Sequence, residues 1–286
     1  MGIRNKKAQV AIISLWVVVI LAVMAVGLGH RISMGLRLSR YQKDKQKALY
    51  LAKAALNKAI SEIEKDEAAY DSLNDGWAAL KVTDEERKIN INTASKELLA
   101  ALLEEYNFAS VEDKLNNILI WRGDLPDDAK IYADLGYPAK AGSFVNCQEL
   151  LLVKGFEPEE YQLLRKIITV YSGIPININT ASSDALNIFG HGIAKELSLD
   201  KKFAYSVTDK IIALRNTKGY FQSTEEVNIA LTGEEERNIF NALINRVTFQ
   251  SHNFFIEVSG NVGKIKSKVE AVYNRADKKI VYWHES

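Results

Sequence analysis

The 286 residues include one cysteine, Cys147, so neither an intramolecular disulfide nor a thiolate metal cluster can form. Proline occurs 4 times and glycine 16 times; with 47% hydrophobic and 26% charged residues, this excludes a collagen-like, disordered or low-complexity chain. His30, His191, His252 and His284 are scattered, and no H-x-x-x-H, C-x-x-C, G-x-S-x-G or G-K-[ST] pattern occurs. No catalytic residue is nominated, and the chain is not read as an enzyme. Acid runs such as Asp127-Asp128 and Glu234 to Glu236 read as solvated helix starts rather than general acids. A positive surplus is also missing where nucleic acid would need one. Residues 84–250 carry 18 Lys and Arg against 25 Asp and Glu, a net of −7 within a chain of net +1. Such a region repels phosphate backbones.

What the chain does have is a long apolar run near its start. Val10 to Gly29 is 20 residues interrupted only by Ser14, and as a helix it spans about 30 Å, the thickness of a bilayer's hydrocarbon core. A cleavable secretory signal is the rival reading, but its apolar part is shorter and ends in a small-residue site, which Gly27, Gly29 and His30 do not provide. From Leu36 to Asp75 there is neither Gly nor Pro. One continuous helix is therefore expected to run to near Asp66 or Tyr70, with an apolar stripe at Leu49, Ala52, Leu56, Ala59, Ile60 and Ile63.

The middle of the chain repeats itself. Ile89-Asn90-Ile91-Asn92-Thr93-Ala94-Ser95 recurs as Ile176-Asn177-Ile178-Asn179-Thr180-Ala181-Ser182, and polar caps ahead of leucine-rich stretches predict that each copy opens a helix. Ile118 to Arg122 is echoed by Ile211 to Arg215, Phe144 by Phe221, and Gly155 to Val170 by Gly233 to Val247. The middle reads as a duplicated helical unit, with insertions at Gly123 to Gly142 in the first copy and at Gly190 to Tyr205 in the second. After it, Phe254 to Ser259, Lys264 to Asn274 and Ile280 to Trp283 read as three strands of an antiparallel meander, with turns at Gly260-Asn261 and Arg275-Ala276-Asp277. The fold class is α+β: a long N-terminal transmembrane and amphipathic helix packed on a small antiparallel sheet, with the all-helical duplicated region inserted.

Taken in order, these features resemble the type IV pilin-like class, and within it the general secretion pathway protein K family of minor pseudopilins. The residues that carry the resemblance are the leader Lys6-Lys7-Ala8, then Gln9 to Ile13 and Trp16, the two units similar to SAM-like or helix-hairpin-helix domains, above all Lys210-Ile211-Ile212, Arg215, Gly219 and Phe221, and the ending Ile256 to Gly260 and Tyr282 to Glu285. The resemblance implies a leader at 1–8, a transmembrane helix at 9–29, its periplasmic continuation and linker at 30–83, SAM-like units at 84–172 and 173–250, and C-terminal strands at 251–286. It also implies a structural role: a tip subunit that primes or caps the periplasmic pseudopilus of the type II secretion system. Its expected partners are other minor pseudopilins through the N-terminal helix, the inner membrane and the secretion machinery, with no nucleic acid. A single pass in the inner membrane with a periplasmic C-terminal domain follows from the resemblance alone. Arg31, Arg37, Arg40, Lys43, Lys45 and Lys47 outnumber the leader's cations, and charge by itself would place the domain in the cytoplasm.

The alternative is a membrane-anchored helix-hairpin-helix DNA receptor for DNA uptake. Such domains hold a phosphate with a Gly-x-Gly hairpin. The first copy has no Gly between Gly76 and Gly123, and in the second an insertion separates Gly190-His191-Gly192 from the Ile211 helix. No cofactor is expected from the residues, although the family resemblance implies calcium in the helical region. Asp124, Asp127, Asp128 and Asp134 are the carboxylates there, without EF-hand spacing and with a solvated acidic loop as the simpler reading.

The resemblance further places processing between Ala8 and Gln9, with Ala8 where the family has Gly. This makes Ile13 the fifth residue of the processed chain. N-terminal sequencing of the membrane-extracted protein is expected to begin at Gln9; a start at Met1 or Gly2 overturns this, and a bulky charged residue at Ala8 is expected to block the cut.

Overall fold

The computed structural model describes residues 2–65, 77–127 and 130–286; the side chains of residues 2–9, Ala11 and Asp134 also lie outside the description. The chain divides into two compact units. One comprises Met1–Lys81, Glu257–Glu270 and His284–Ser286, and the other Val82–Ile256 and Ala271–Trp283. A four-stranded sheet has the order β1-β6-β7-β8, with β1 at Ala78–Asp84, β6 at Asn253–Val262, β7 at Ile265–Asn274 and β8 at Lys279–Glu285.

The first unit is built on helix α1, Gly2–Glu64. It is unbroken because nothing in it stops a helix: Gly27, Gly29 and Gly35 sit in open space and only lower local propensity. The expected end at Asp66 or Tyr70 lies outside the described residues. The buried stripe is Ala48, Ala52, Leu56, Ala59 and Ile63, each at most 1% exposed, whereas Leu49 and Ile60 are only half-buried. The stripe is thus turned toward Ala48 relative to the expected one. The cause is Gly260, whose backbone lies directly against the helix. A Cβ there would collide with the Ala48 carbonyl and come within 2.8 Å of the Ala52 nitrogen. Two alanines one turn apart and a glycine opposite them let strand and helix backbones meet. Ser267 Oγ donates to the Lys45 carbonyl at 3.3 Å, and Lys53 pairs with Glu285 at 2.8 Å along the same helix.

For this reason the expected turn at Gly260-Asn261 is not a turn. Both residues belong to β6, and the hairpin reverses at Gly263, whose φ of +60° suits glycine. Strand β1 was not among the expected strands. Its neighbours are antiparallel to β6: Asn261 N donates to Trp77 O at 2.8 Å, and Glu85 N to Asn253 O at 2.9 Å.

In the second unit, the first helical copy runs from β2 (Ile89–Asn90) through α2 (Lys96–Glu105), α3 (Val111–Arg122) and α4 (Pro158–Leu164) to β3 (Ile168–Thr169). The second runs from β4 (Ile176–Asn177) through α5 (Ser183–Glu196), α6 (Lys201–Lys218) and α7 (Glu234–Ile244) to β5 (Val247–Thr248). Each copy is closed by a two-residue parallel ladder joining its first and last segments, Ile89 with Ile168 and Ile176 with Val247. Ser95 and Ser182 cap α2 and α5, accepting from Leu98 N and Ala185 N, as the repeated motif predicts. The residues Gly190 to Tyr205 do not form an inserted loop. They lengthen α5 and α6, so the second copy differs from the first chiefly in helix length.

Gly260→Ala is expected to destabilise the detergent-solubilised chain by about 1–3 kcal/mol, the usual cost of overpacking. Denaturant unfolding measures this; an unchanged midpoint contradicts the close approach.

Candidate functional site

Two features offer function: the exposed stretch of α1 and the duplicated helical module. From Val10 to Leu38 the large apolar side chains of α1 are exposed, from 43% at Val19 to 74% at Val26. Fully burying one such side chain is worth about 1.5–3 kcal/mol, so this surface belongs in lipid or against other helices. The helix is long and apolar enough to cross a membrane. Its first acidic residue is Asp44. Ala8, Gln9 and Ile13 all lie on α1; the side chains of Ala8 and Gln9 are outside the description, and Ile13 is exposed and carries no charge.

In the module the repeated motif does the same work twice. Asn92 brackets the backbone of Phe144, donating to its carbonyl at 2.9 Å and accepting from its N–H at 2.7 Å; Asn179 brackets Phe221 with both bonds at 2.8 Å. The side-chain oxygens of Asn90 and Asn177 accept from the N–H two residues on, at 2.8 and 2.9 Å. Arg122 Nη1 donates to the carbonyls of Ile91 and Ala94, and Arg215 Nη1 to those of Ile178 and Ala181, all at 2.8 Å. Only a side chain with both donor and acceptor can bracket one peptide in this way, which explains the repeated Asn.

Asp84, Glu85 and Glu86 join the copies to the sheet. Asp84 accepts from Asn177 at 3.2 Å and from Thr180; Glu85 accepts from Thr169 at 2.5 Å and pairs with Lys88 at 2.7 Å. Glu86 accepts from the N–H groups of His252 and Asn253 and from the Asn253 amide at 2.8 Å. Burial pushes its carboxyl up to about 7, and the nearby Asp84 charge adds to this against the hydrogen bonds from Asn253. Nothing in the spacing of these acids distinguished them from a solvated run.

The glycines that a phosphate-binding hairpin would need serve packing. Gly190 and Gly192 are buried inside α5; a Cβ on Gly190 would come within 2.9 Å of Thr208, and one on Gly192 within 2.8 Å of the Leu98 backbone. Gly192 is therefore where the two copies touch. Around that contact Lys195 pairs with Glu104 at 2.8 Å and Tyr205 donates to Glu105 at 2.6 Å. His191 lies buried beside them, its pKa lowered by desolvation. Burial likewise pushes the Cys147 thiol up to about 12, which leaves it protonated and unreactive at neutral pH.

The acidic loop after α3 does not assemble a ligand set from its described residues. Asp124 pairs with Arg122, and Asp127 accepts from the N–H groups of Ile131 and Tyr132 at 2.7 and 3.4 Å. Asp128 and the Asp134 side chain lie outside the description, and among the described residues no three His, Cys, Asp or Glu converge. Of the four carboxylates, the two that are described, Asp124 and Asp127, are thus engaged by groups of the loop and of α3.

An apolar N-terminal helix, a small antiparallel sheet and an inserted duplicated helical module define an α+β, pilin-like fold. No family model and no curated protein matches the chain. Among solved structures, a chain of the GspK-GspI-GspJ complex from the enterotoxigenic Escherichia coli Type 2 Secretion System is similar, with a TM-score of 0.65 at 14% identity. The match covers 87% of this chain and 99% of that one, so the fold is shared over most of this chain.

Glu86 supplies a pH test. Its folded pKa lies above its ordinary 4.5, so the folded state binds more protons between about 4.5 and 7, and its contribution to stability falls as pH rises through that window. Glu86→Gln cannot ionise. Its stability relative to the native chain is expected to rise by roughly 1–3 kcal/mol from pH 4.5 to pH 8. Parallel stability curves for the two proteins contradict this.

Proposed function

We propose that this chain is a minor pseudopilin of the type II secretion system, anchored in the inner membrane by α1 with the rest in the periplasm, and that it is the tip subunit that primes or caps the pseudopilus. The observation that carries the reading is the fold shared along nearly the whole of a GspK-GspI-GspJ complex chain, together with the exposed apolar α1. The partners would be other minor pseudopilins, which meet it along α1. The absence of any assembled catalytic pattern in the sequence accords with a structural role.

Two features support the tip position. In most pilins the fifth residue of the processed chain is a Glu that neutralises a neighbour's N-terminal amine. Here that place falls to Ile13, and α1 offers no carboxylate before Asp44. An unpaired charge in apolar surroundings costs several kcal/mol, enough to decide where a subunit enters. A subunit without the Glu is tolerated where no earlier neighbour presents an amine, which is the first position laid down. The second feature is bulk. The helical module is as large as a domain in its own right and would obstruct a subunit stacked above it.

Labelled-particle microscopy of overproduced filaments is expected to find this chain at one end only. Labelling at regular intervals along the shaft overturns the tip position. Membrane extraction should recover small pilin-like partners, whereas a salt-dependent DNA shift without such partners would favour the DNA-receptor alternative.

A further inference from the structure

The two copies of the module use the same arginine differently. In each, Nη1 is fixed by two carbonyls of the repeated motif. In the first copy the rest of the guanidinium is neutralised: α3 ends at Arg122, Gly123 turns the chain with φ of +87°, and Asp124 accepts from Nε at 2.7 Å. In the second copy the helix does not stop there. α6 continues to Lys218, and the residue in Asp124's place is Thr217, whose hydroxyl turns back to the carbonyls of Ala213 and Leu214. Among the described residues, Nε and Nη2 of Arg215 have no acceptor and no carboxylate partner.

A second cation takes the place of the missing acid. Arg87 and Arg215 line one cleft of about 430 Å³ with Asn179, Ser183 and Tyr220. Arg87 has no ion-pair partner among the described residues, and its charge, after burial, lowers the pKa of Arg215. Two guanidiniums lining one cleft without a counter-ion repel, and an oxyanion bound there offsets the repulsion while accepting from their forks.

We propose that the Arg87–Arg215 cleft is a binding site for the carboxylate of a single acidic side chain presented by a protein partner. The site forks suit carboxylate and phosphate alike. The choice between them rests on the surroundings: residues 84–250 carry a net charge of −7, which tolerates one inserted carboxylate but repels a polyanionic nucleic acid. The proposal stands on the geometry of the module and is independent of the filament role.

The test uses the full chain in detergent and a fluorescent, C-terminally amidated peptide of glycines around one Glu, with a Gln-for-Glu peptide and a single-stranded oligonucleotide as the other arms. The acidic peptide is expected to bind, the Gln peptide not. Arg87→Ala removes one fork without touching the carbonyls that Arg215 holds, and should weaken binding about tenfold or more. Ser183→Glu puts a carboxylate into the cleft from the first turn of α5, where an acid favours the helix, and should block the peptide while leaving the thermal midpoint unchanged or raised. No binding of the acidic peptide, equal binding to the native chain and both variants, or tighter binding of the oligonucleotide lost in both variants would each overturn the proposal.

Discussion

The module depends on one cluster of hydrogen bonds to three neighbouring carboxyl groups, those of Asp84, Glu85 and Glu86. Three consecutive acids reach three separate places: Asp84 the start of the second copy, Glu85 the end of the first, and Glu86 the beginning of β6. Each closes a buried polar group that would otherwise cost about 1–3 kcal/mol if left unpaired. Their arrangement requires that Thr169, Asn177 and Asn253 lie within a few ångströms of one another's partners, although they come from distant parts of the chain. The raised pKa of Glu86 is the mark of how little water remains there.

Much of the architecture was legible because it is written in local signals. The continuity of α1 beyond the apolar run follows from a stretch without helix breakers, and the duplication is plain in seven identical residues. The start of α2 and α5 follows from Ser95 and Ser182. What was not legible is what depends on contacts between distant segments. Gly260 looks like a turn residue, yet it lies in a strand because Ala48 and Ala52 are on the other side of it. Gly190-His191-Gly192 looks like a hairpin and is the middle of a helix, its glycines demanded by Thr208 and Leu98. Strand β1 was missed since Ala78 to Asp84 offers only Leu80 and Val82 as an apolar alternation, and of its residues only Leu80 is buried. Asp84 to Glu86 carried no signal at all, because an acid run reads the same whether solvated or buried.

The duplication shows which positions are bound by geometry and which are free. The Asn brackets, the caps and the arginine that holds two carbonyls are the same in both copies, since each satisfies backbone groups that any version of the unit must satisfy. The helix lengths and the fate of the arginine's second edge differ. Arg122 is neutralised at home, and Arg215 is not.

The place of the insertion has a consequence for how the chain reaches its fold. Residues 86 and 253 are bonded although 167 positions separate them. If the intervening chain were flexible, closing that loop would cost about 2.5 kcal/mol more entropy than closing one of ten residues. The two parallel ladders shift that cost into the folding of the copies, each of which brings its own first and last segments together and offsets the closure with its own core. Once both copies are formed, the chain ends that lead into β1 and β6 are already neighbours, and the strands pair as if joined by a short turn. The module thus acts as a clasp: a long detour in sequence becomes a short one in space, closed where Glu85 and Glu86 meet Asn253.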